Sequence, residues 1–146
     1  MISRDQFLFF QPLTVQYAEL DGQGIVFYGN YLTYYDIAIN EYIRATGLDY
    51  AAWVAQTGLD FNVVKATVEY KTPLQLGADL AVGVELARSG RSSLTWQLAI
   101  FPAEGSEPMA IGEVIWVCAD QSSFSSRPLP DEIRDRLQSL SRVINV

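Results

Sequence analysis

Histidine is absent from this 146-residue chain and cysteine occurs once. Without an imidazole there is no Ser-His or Cys-His nucleophile pair and no His-containing metal site, and one thiol cannot build a disulfide framework. Any catalysis therefore rests on carboxylates, hydroxyls, lysine or backbone donors, and neither a metal nor a cofactor is expected. Basic residues are also few: 10 Lys+Arg stand against 17 Asp+Glu, a net charge of -7. That balance argues against a surface built to neutralise nucleic-acid phosphates. Long apolar runs are missing too. The run Phe7 to Phe10 is far too short for a secretory signal, and nothing approaches the roughly 18 residues of a membrane span, so a cytoplasmic protein is expected. No repeat, low-complexity tract or linker divides the chain. Its length suits one domain over residues 1–146, burying roughly 68–70% of its unfolded surface.

What the chain does have is apolar content, 49% hydrophobic against 18% charged, which excludes a disordered polymer. Leu13 to Ala18 alternates with period two and predicts a first strand. A glycine-rich loop follows, Glu19 to Gly29, with the apolar island Ile25, Val26, Phe27 inside it; such a loop can bring backbone close to a ligand. Asn30 reads as the N-cap of a helix to Thr46, with Gly47 at the left-handed cap. Leu32, Tyr35, Ile39 and Ile43 form one stripe of that helix, and Asp36, Asn40 and Arg44 another. A shorter helix, about Tyr50 to Gln56, precedes Gly58. Val63 to Tyr70, Asp79 to Ala87, Ser93 to Phe101 and Met109 to Ala119 are strand-like, with Arg88-Ser89-Gly90-Arg91 as a hairpin signal. Pro128 to Pro130 stops the sheet, and Asp131 to Val143 reads as a closing amphipathic helix with Arg142 near its end.

Strand, long helix and four antiparallel strands make an α+β domain whose helix covers one sheet face. The uncovered sheet and its edge favour a symmetric oligomer.

Few residues carry potential chemistry. Asp21 lies between a strand and the loop that opens the long helix. A carboxylate there sits near the partial positive charge of a helix N-terminus, as a nucleophile or base requires. The same spacing equally fits a turn aspartate satisfying local amides. Unpaired amides over Tyr28, Gly29, Asn30 and Tyr31 can polarise a carbonyl, and an ordinary capped helix start presents the same residues. Asp36 and Glu41 are further helix acids, about 140° apart around the axis and so not a pair on one face. Ser92 and Ser93 have no base to activate them and read as strand-entry residues able to hydrogen-bond a ligand. Cys118, beside Trp116 and Val117, reads as a core thiol.

The stretch Tyr17-Ala-Glu-Leu-Asp21-Gly-Gln-Gly24-Ile-Val26-Phe-Tyr28-Gly-Asn30-Tyr31 resembles the hot-dog-fold acyl-CoA thioesterases, in the branch of 4-hydroxybenzoyl-CoA thioesterase and the Tol-Pal-associated thioesterase. Glu69-Tyr70-Lys71-Thr72-Pro73 after Val63-Val64, Gly77-Ala-Asp79-Leu80-Ala-Val82, Arg91-Ser92-Ser93-Leu94 and Arg127-Pro128-Leu129-Pro130 are similar to later parts of the same pattern. The resemblance implies a sheet wrapped around one long helix, with Asp21 as the catalytic acid and amides from Tyr28 to Tyr31 holding an oxyanion. Many Tol-Pal-type relatives carry a histidine where this chain has Gly29; the 4-hydroxybenzoyl-CoA type does not. In this fold Tyr28, Tyr31, Tyr34, Tyr35 and Phe61 are expected around the cleft. Arg88, Arg91 and Arg127 are expected near coenzyme A phosphates, Arg91 foremost with Ser92 beside it, and Asp36 is the second acid.

The resemblance further implies a homodimer, or a dimer of dimers, in which residues Gly58 to Tyr70 pack at the two-fold and Val63 of one protomer faces the loop of the other. The expected activity is hydrolysis of an acyl or aroyl thioester of coenzyme A or acyl carrier protein, with Asp21 as nucleophile or general base. The alternative is a non-catalytic hot-dog module that binds such thioesters. Dehydratases of this fold that depend on histidine are excluded.

Overall fold

The computed structural model describes residues 1–142. After a 3-10 turn at Arg4–Gln6 come β1 (Phe9–Thr14), a second 3-10 turn (Tyr17–Glu19), α1 (Asn30–Ala45) and α2 (Tyr50–Thr57). They are followed by β2 (Leu59–Tyr70), β3 (Asp79–Ser89), β4 (Ser93–Pro102), β5 (Ala110–Asp120) and α3 (Asp131–Gln138). The strands form one antiparallel sheet in the order β1-β3-β4-β5-β2.

The core follows from two periodicities. On β5, Ala110, Gly112, Val114, Trp116 and Cys118 are buried and alternate with half-buried Ile111, Glu113, Ile115 and Val117, the period of a strand with unlike faces. On α1, Tyr31, Tyr34, Tyr35, Ala38, Ile39, Tyr42 and Ile43 recur at helical spacing and turn into the concave face of the sheet. Tyr42 meets Trp96 and Phe9 edge-on, with ring centroids 5.2 and 5.4 Å apart. Gly112 is where helix and sheet come closest: an added Cβ would overlap both the Thr67 carbonyl and the Tyr35 ring. A long helix embraced by an antiparallel sheet is the hot-dog arrangement, and the chain adopts it.

Several sequence expectations change. The first strand is Phe9–Thr14, not Leu13 to Ala18. The chain leaves the sheet after Thr14, and Tyr17 is 80% exposed on a 3-10 turn closed by Glu19. Asn30 is the first helical residue rather than the N-cap; that position belongs to Gly29, and the Asn30 side chain donates to the Glu19 carbonyl. Helix α1 ends at Ala45, with Gly47 beyond it at φ 82°, the left-handed conformation expected of it. The closing helix ends at Gln138; Val143 lies outside the described residues. Arg142 instead reaches back to the Asp5 and Gln6 carbonyls.

The two sheet edges differ. Residues before β1 fold over the outer face, where Phe7 covers Gly83 and the Arg4 guanidinium lies 4.9 Å from the Phe10 ring. The far edge, β2, leaves Val63 and Val64 exposed at 60% and 59%.

Candidate active site

The loop between β1 and α1 is closed at its neck by a bridge between Leu20 and Val26. Within it the Asp21 N–H donates to the Ile25 carbonyl at 2.8 Å, and the Gly24 N–H to the Asp21 carbonyl at 3.0 Å. The Gln23 N–H donates to Asp21 Oδ1 at 2.7 Å, fixing the carboxylate in a tight turn. This places Asp21, half-buried, on the wall of a cleft of about 490 Å³ that Gln23, Tyr28, Tyr31, Tyr70 and Lys71 also line. A cavity of about 540 Å³ at the α1–α2 elbow, lined by Asn40, Arg44 and Tyr50, is larger. It contains neither Asp21 nor the start of α1, so size does not mark the site.

At the start of α1 the backbone donors divide. The Asn30 N–H is held by the Phe27 carbonyl at 2.9 Å, and the Tyr31 N–H reaches the Tyr28 carbonyl at 3.4 Å. Among the described residues the N–H groups of Tyr28 and Gly29 have no acceptor. They stand at the positive end of a 16-residue helix, and Gly29 at the cap has no side chain of its own, the Phe27 ring packing where a Cβ would stand. Of the four amides expected from sequence, the fold thus leaves two unengaged.

Tyr28 and Tyr31 reach the cleft, as expected. Tyr34 and Tyr35 do not, because both point into the core, where they are 2% and 0% exposed. The Tyr34 hydroxyl donates to Glu19 Oε1 at 2.7 Å, whereas among the described residues the Tyr35 hydroxyl has no partner. Burial pushes the ionisation of both phenols far above the usual tyrosine range. Tyr70 and Lys71 were not singled out as site residues, although they sit in the quoted run Glu69 to Pro73. Their signal was the end of a strand beside the loop. The Tyr31 and Tyr70 rings meet edge-on at 4.7 Å, and the Tyr70 hydroxyl donates to the Tyr28 carbonyl at 2.9 Å.

Asp36 and Val63 come together elsewhere, in a cavity of about 180 Å³ that Leu32, Ile39, Val114 and Trp116 complete. Phe61, expected around the cleft, lines neither the Asp21 cleft nor this cavity; its ring lies 5.3 Å from Trp116 and 5.5 Å from Trp53. Arg91 and Ser92 occupy the β3–β4 turn, at the end of the sheet away from Asp21. Their carbonyls accept from Leu129 and Cys118, and Arg127 donates to Ser125 Oγ and the Ser126 carbonyl. Cys118 is fully buried, and burial raises its thiol. Among the described residues no helix is long and apolar enough to cross a membrane.

The family model of the thioesterase superfamily matches residues 23–109. The chain is 32% identical to the acyl-CoA thioester hydrolase YbgC of Escherichia coli O6:H1, over 86% of this chain and 92% of that protein. It is 27% identical to the 1,4-dihydroxy-2-naphthoyl-CoA hydrolase of Thermosynechococcus vestitus, over 86% of each. Among solved structures, the PA5185 protein of Pseudomonas aeruginosa superposes with a TM-score of 0.84 at 29% identity, covering 95% of both chains. Fold and sequence thus agree on a class, the hot-dog thioester hydrolases. The chain belongs to the thioesterase superfamily.

Proposed function

We propose that this protein hydrolyses acyl- or aroyl-coenzyme A thioesters through Asp21, assisted by the Tyr28 and Gly29 N–H groups. The observation that supports the reading is a carboxylate fixed by the Gln23 N–H in a cleft that Tyr28 also lines, with the Tyr28 and Gly29 N–H groups left unengaged at the adjoining start of α1. In acyl transfer the oxyanion donors usually contribute most, about 10²–10³-fold each. Asp21 then either attacks the thioester carbonyl, giving an anhydride that water cleaves, or takes a proton from the attacking water. In both routes the carbonyl oxygen gathers negative charge at the amides, and the thiolate leaves. The names of the relatives support a coenzyme A thioester as substrate.

The acyl group would enter the smaller cavity, where Asp36 supplies one polar contact among Leu32, Ile39 and Val63. The cleft is completed by a second copy. If β2 pairs antiparallel with its own copy about its middle, the Leu59 end of one strand falls beside the Tyr70 end of the other. Tyr70 adjoins Tyr28, while Leu59 pairs with Asp120 close to the β3–β4 turn, so Arg91 and Ser92 of one copy approach the Asp21 cleft of the other. Exposed Val63 and Val64 would be covered at the same time. With no histidine and one cysteine in the chain, a tight transition-metal site would have to be built mostly from carboxylates, and a chelator is expected to leave the reaction unchanged.

The test is release of free thiol from acetyl-, octanoyl-, palmitoyl-, benzoyl- and 4-hydroxybenzoyl-CoA and from the matching acyl carrier protein thioesters. Hydrolysis of a coenzyme A thioester with turnover supports the reading. Tight binding of every thioester without turnover would make the protein a binding module.

A further inference from the structure

Glu19, which the proposed reaction leaves without a role, sits two residues before Asp21 and joins more of the site than any residue in it. Its carboxylate Oε1 accepts the Gln16 N–H at 2.7 Å and the Tyr34 hydroxyl at 2.7 Å. Its carbonyl accepts the Phe27 N–H at 2.9 Å and the Asn30 side-chain amide at 2.9 Å. Those partners are the start of the 3-10 turn, the residue that closes the Asp21 loop, and the first two turns of α1. The loop carrying the carboxylate and the helix start carrying the oxyanion donors therefore meet at one side chain and its own carbonyl.

Tyr34 sits at the 2% exposed foot of this arrangement, where phenylalanine would fill the same volume without burying a hydroxyl. A polar pair so placed contributes little net stability, because desolvation offsets much of its attraction. What it fixes is position. An error of about 1 Å between a catalytic group and its substrate lowers turnover by about 10²-fold. The Glu19 carboxylate is the only link among those described above that ties the turn before Asp21 to the second turn of α1.

We propose that Glu19 is a positioning residue, and that its hydrogen bond from Tyr34 sets the placement of the Asp21 carboxylate relative to the Tyr28 and Gly29 N–H groups. The inference rests on Asp21 being the catalytic acid. Glu19 takes no proton in the reaction: it only accepts hydrogen bonds, and the carbonyl oxygen of glutamine can accept the same two.

The experiment compares kcat and KM of Glu19→Ala, Glu19→Gln, Tyr34→Phe and Glu19→Ala/Tyr34→Phe with those of wild type and Asp21→Asn. The substrate is the acyl-CoA of the panel above that the wild type turns over fastest, assayed well below each variant's melting temperature. Glu19→Ala is expected to lower kcat about 10–100-fold with KM changed less than about threefold. Tyr34→Phe lowers kcat in the same way, the double variant is no worse than Glu19→Ala, and Glu19→Gln recovers most of the loss. Wild-type kcat in both Glu19→Ala and Tyr34→Phe overturns the proposal, as does a Glu19→Gln variant as slow as Glu19→Ala, which would make the charge itself the active element. Should Glu19→Ala fail to fold, Tyr34→Phe and Glu19→Gln decide alone. Failure of the underlying reading looks different: it is an Asp21→Asn enzyme with full turnover.

Discussion

The Tyr70 hydroxyl donates to the Tyr28 carbonyl across 2.9 Å, joining the last residue of the edge strand to the loop that presents the unengaged amides. Since Tyr70 is half exposed, the bond contributes modestly to stability, but it restrains the Tyr28–Gly29 peptide, which carries one of the proposed oxyanion donors. Tyr70→Phe keeps the edge-on contact with Tyr31 and removes only this restraint. We expect kcat to fall about 3–10-fold and stability to change by less than about 1 kcal/mol. Steady-state kinetics and urea unfolding read the two effects separately.

The same strand carries the proposed two-fold. A charge at Val63 faces an unpaired partner in the associated state but water in the free one, so Val63→Glu should lower the dimer fraction and the activity together. Light scattering and thiol release across one concentration series check this. A monomeric variant with full activity would place the whole site within one copy.

Gly112 is predicted to be intolerant for steric reasons alone. Gly112→Ala drives a methyl group into the Tyr35 ring, which is fully buried, and into the backbone carbonyl of Thr67 on the neighbouring strand, so helix and strand must shift apart. The expected cost is about 1–3 kcal/mol, read as a lower urea midpoint at unchanged m-value.

Alkaline pH should unfold the protein through its tyrosines. Burial, foremost, raises the ionisation of Tyr35 and Tyr50 above the ordinary value of 10.0, and the bond from Tyr50 to Asp60 raises the latter further. Groups whose folded value is raised contribute stability that is complete below the unfolded value. That stability is lost as pH rises above it, because the unfolded chain releases its protons first. Melting temperature should therefore be flat near pH 7, decline slightly from about pH 8.5 as the buried Cys118 thiol loses its contribution, and fall steeply beyond about pH 10, together with the appearance of tyrosinate absorbance. A melting temperature that stays flat through that rise would contradict the burial of these hydroxyls.

The part of the fold legible in the sequence is the part held by regular periodicity. Helix α1 and strands β2 to β5 announce themselves because Tyr35, Ile39 and Ile43 keep helical spacing and the β5 residues alternate strictly, whereas Leu32, the fourth member of the expected stripe, is 42% exposed and Tyr31 takes the buried place beside it. The alternation that marks β1 runs on in the sequence through Val15 and Tyr17, whereas the backbone turns away once the Glu19 carboxylate takes the Gln16 N–H, so the strand lies earlier than its pattern predicts. Pro12 lies within β1, where an edge strand tolerates its missing donor. At the site, the place of Asp21 in the loop before α1 follows from its position ahead of a glycine-bearing helix start, while its proposed role follows from the family resemblance. The division among Tyr28, Tyr31, Tyr34 and Tyr35 is not legible, since closely spaced tyrosines look alike until the fold decides which face the core. The acceptor for Tyr34 lies fifteen residues upstream, beyond the reach of any local spacing.

The central claim is that Asp21 performs the chemistry, and Asp21→Asn tests it most directly. A carboxamide can still accept the Gln23 N–H bond that fixes the turn, but it can act neither as base nor as anhydride-forming nucleophile. The measurement is thiol release by the purified variant against wild type at saturating acyl-CoA, with melting temperature as the control for folding. The account predicts a loss of about 10²–10⁴-fold in kcat at nearly unchanged melting temperature, with Asp36→Asn losing far less. An Asp21→Asn protein that turns over at the wild-type rate, or an Asp36→Asn protein that is the inactive one, would contradict it.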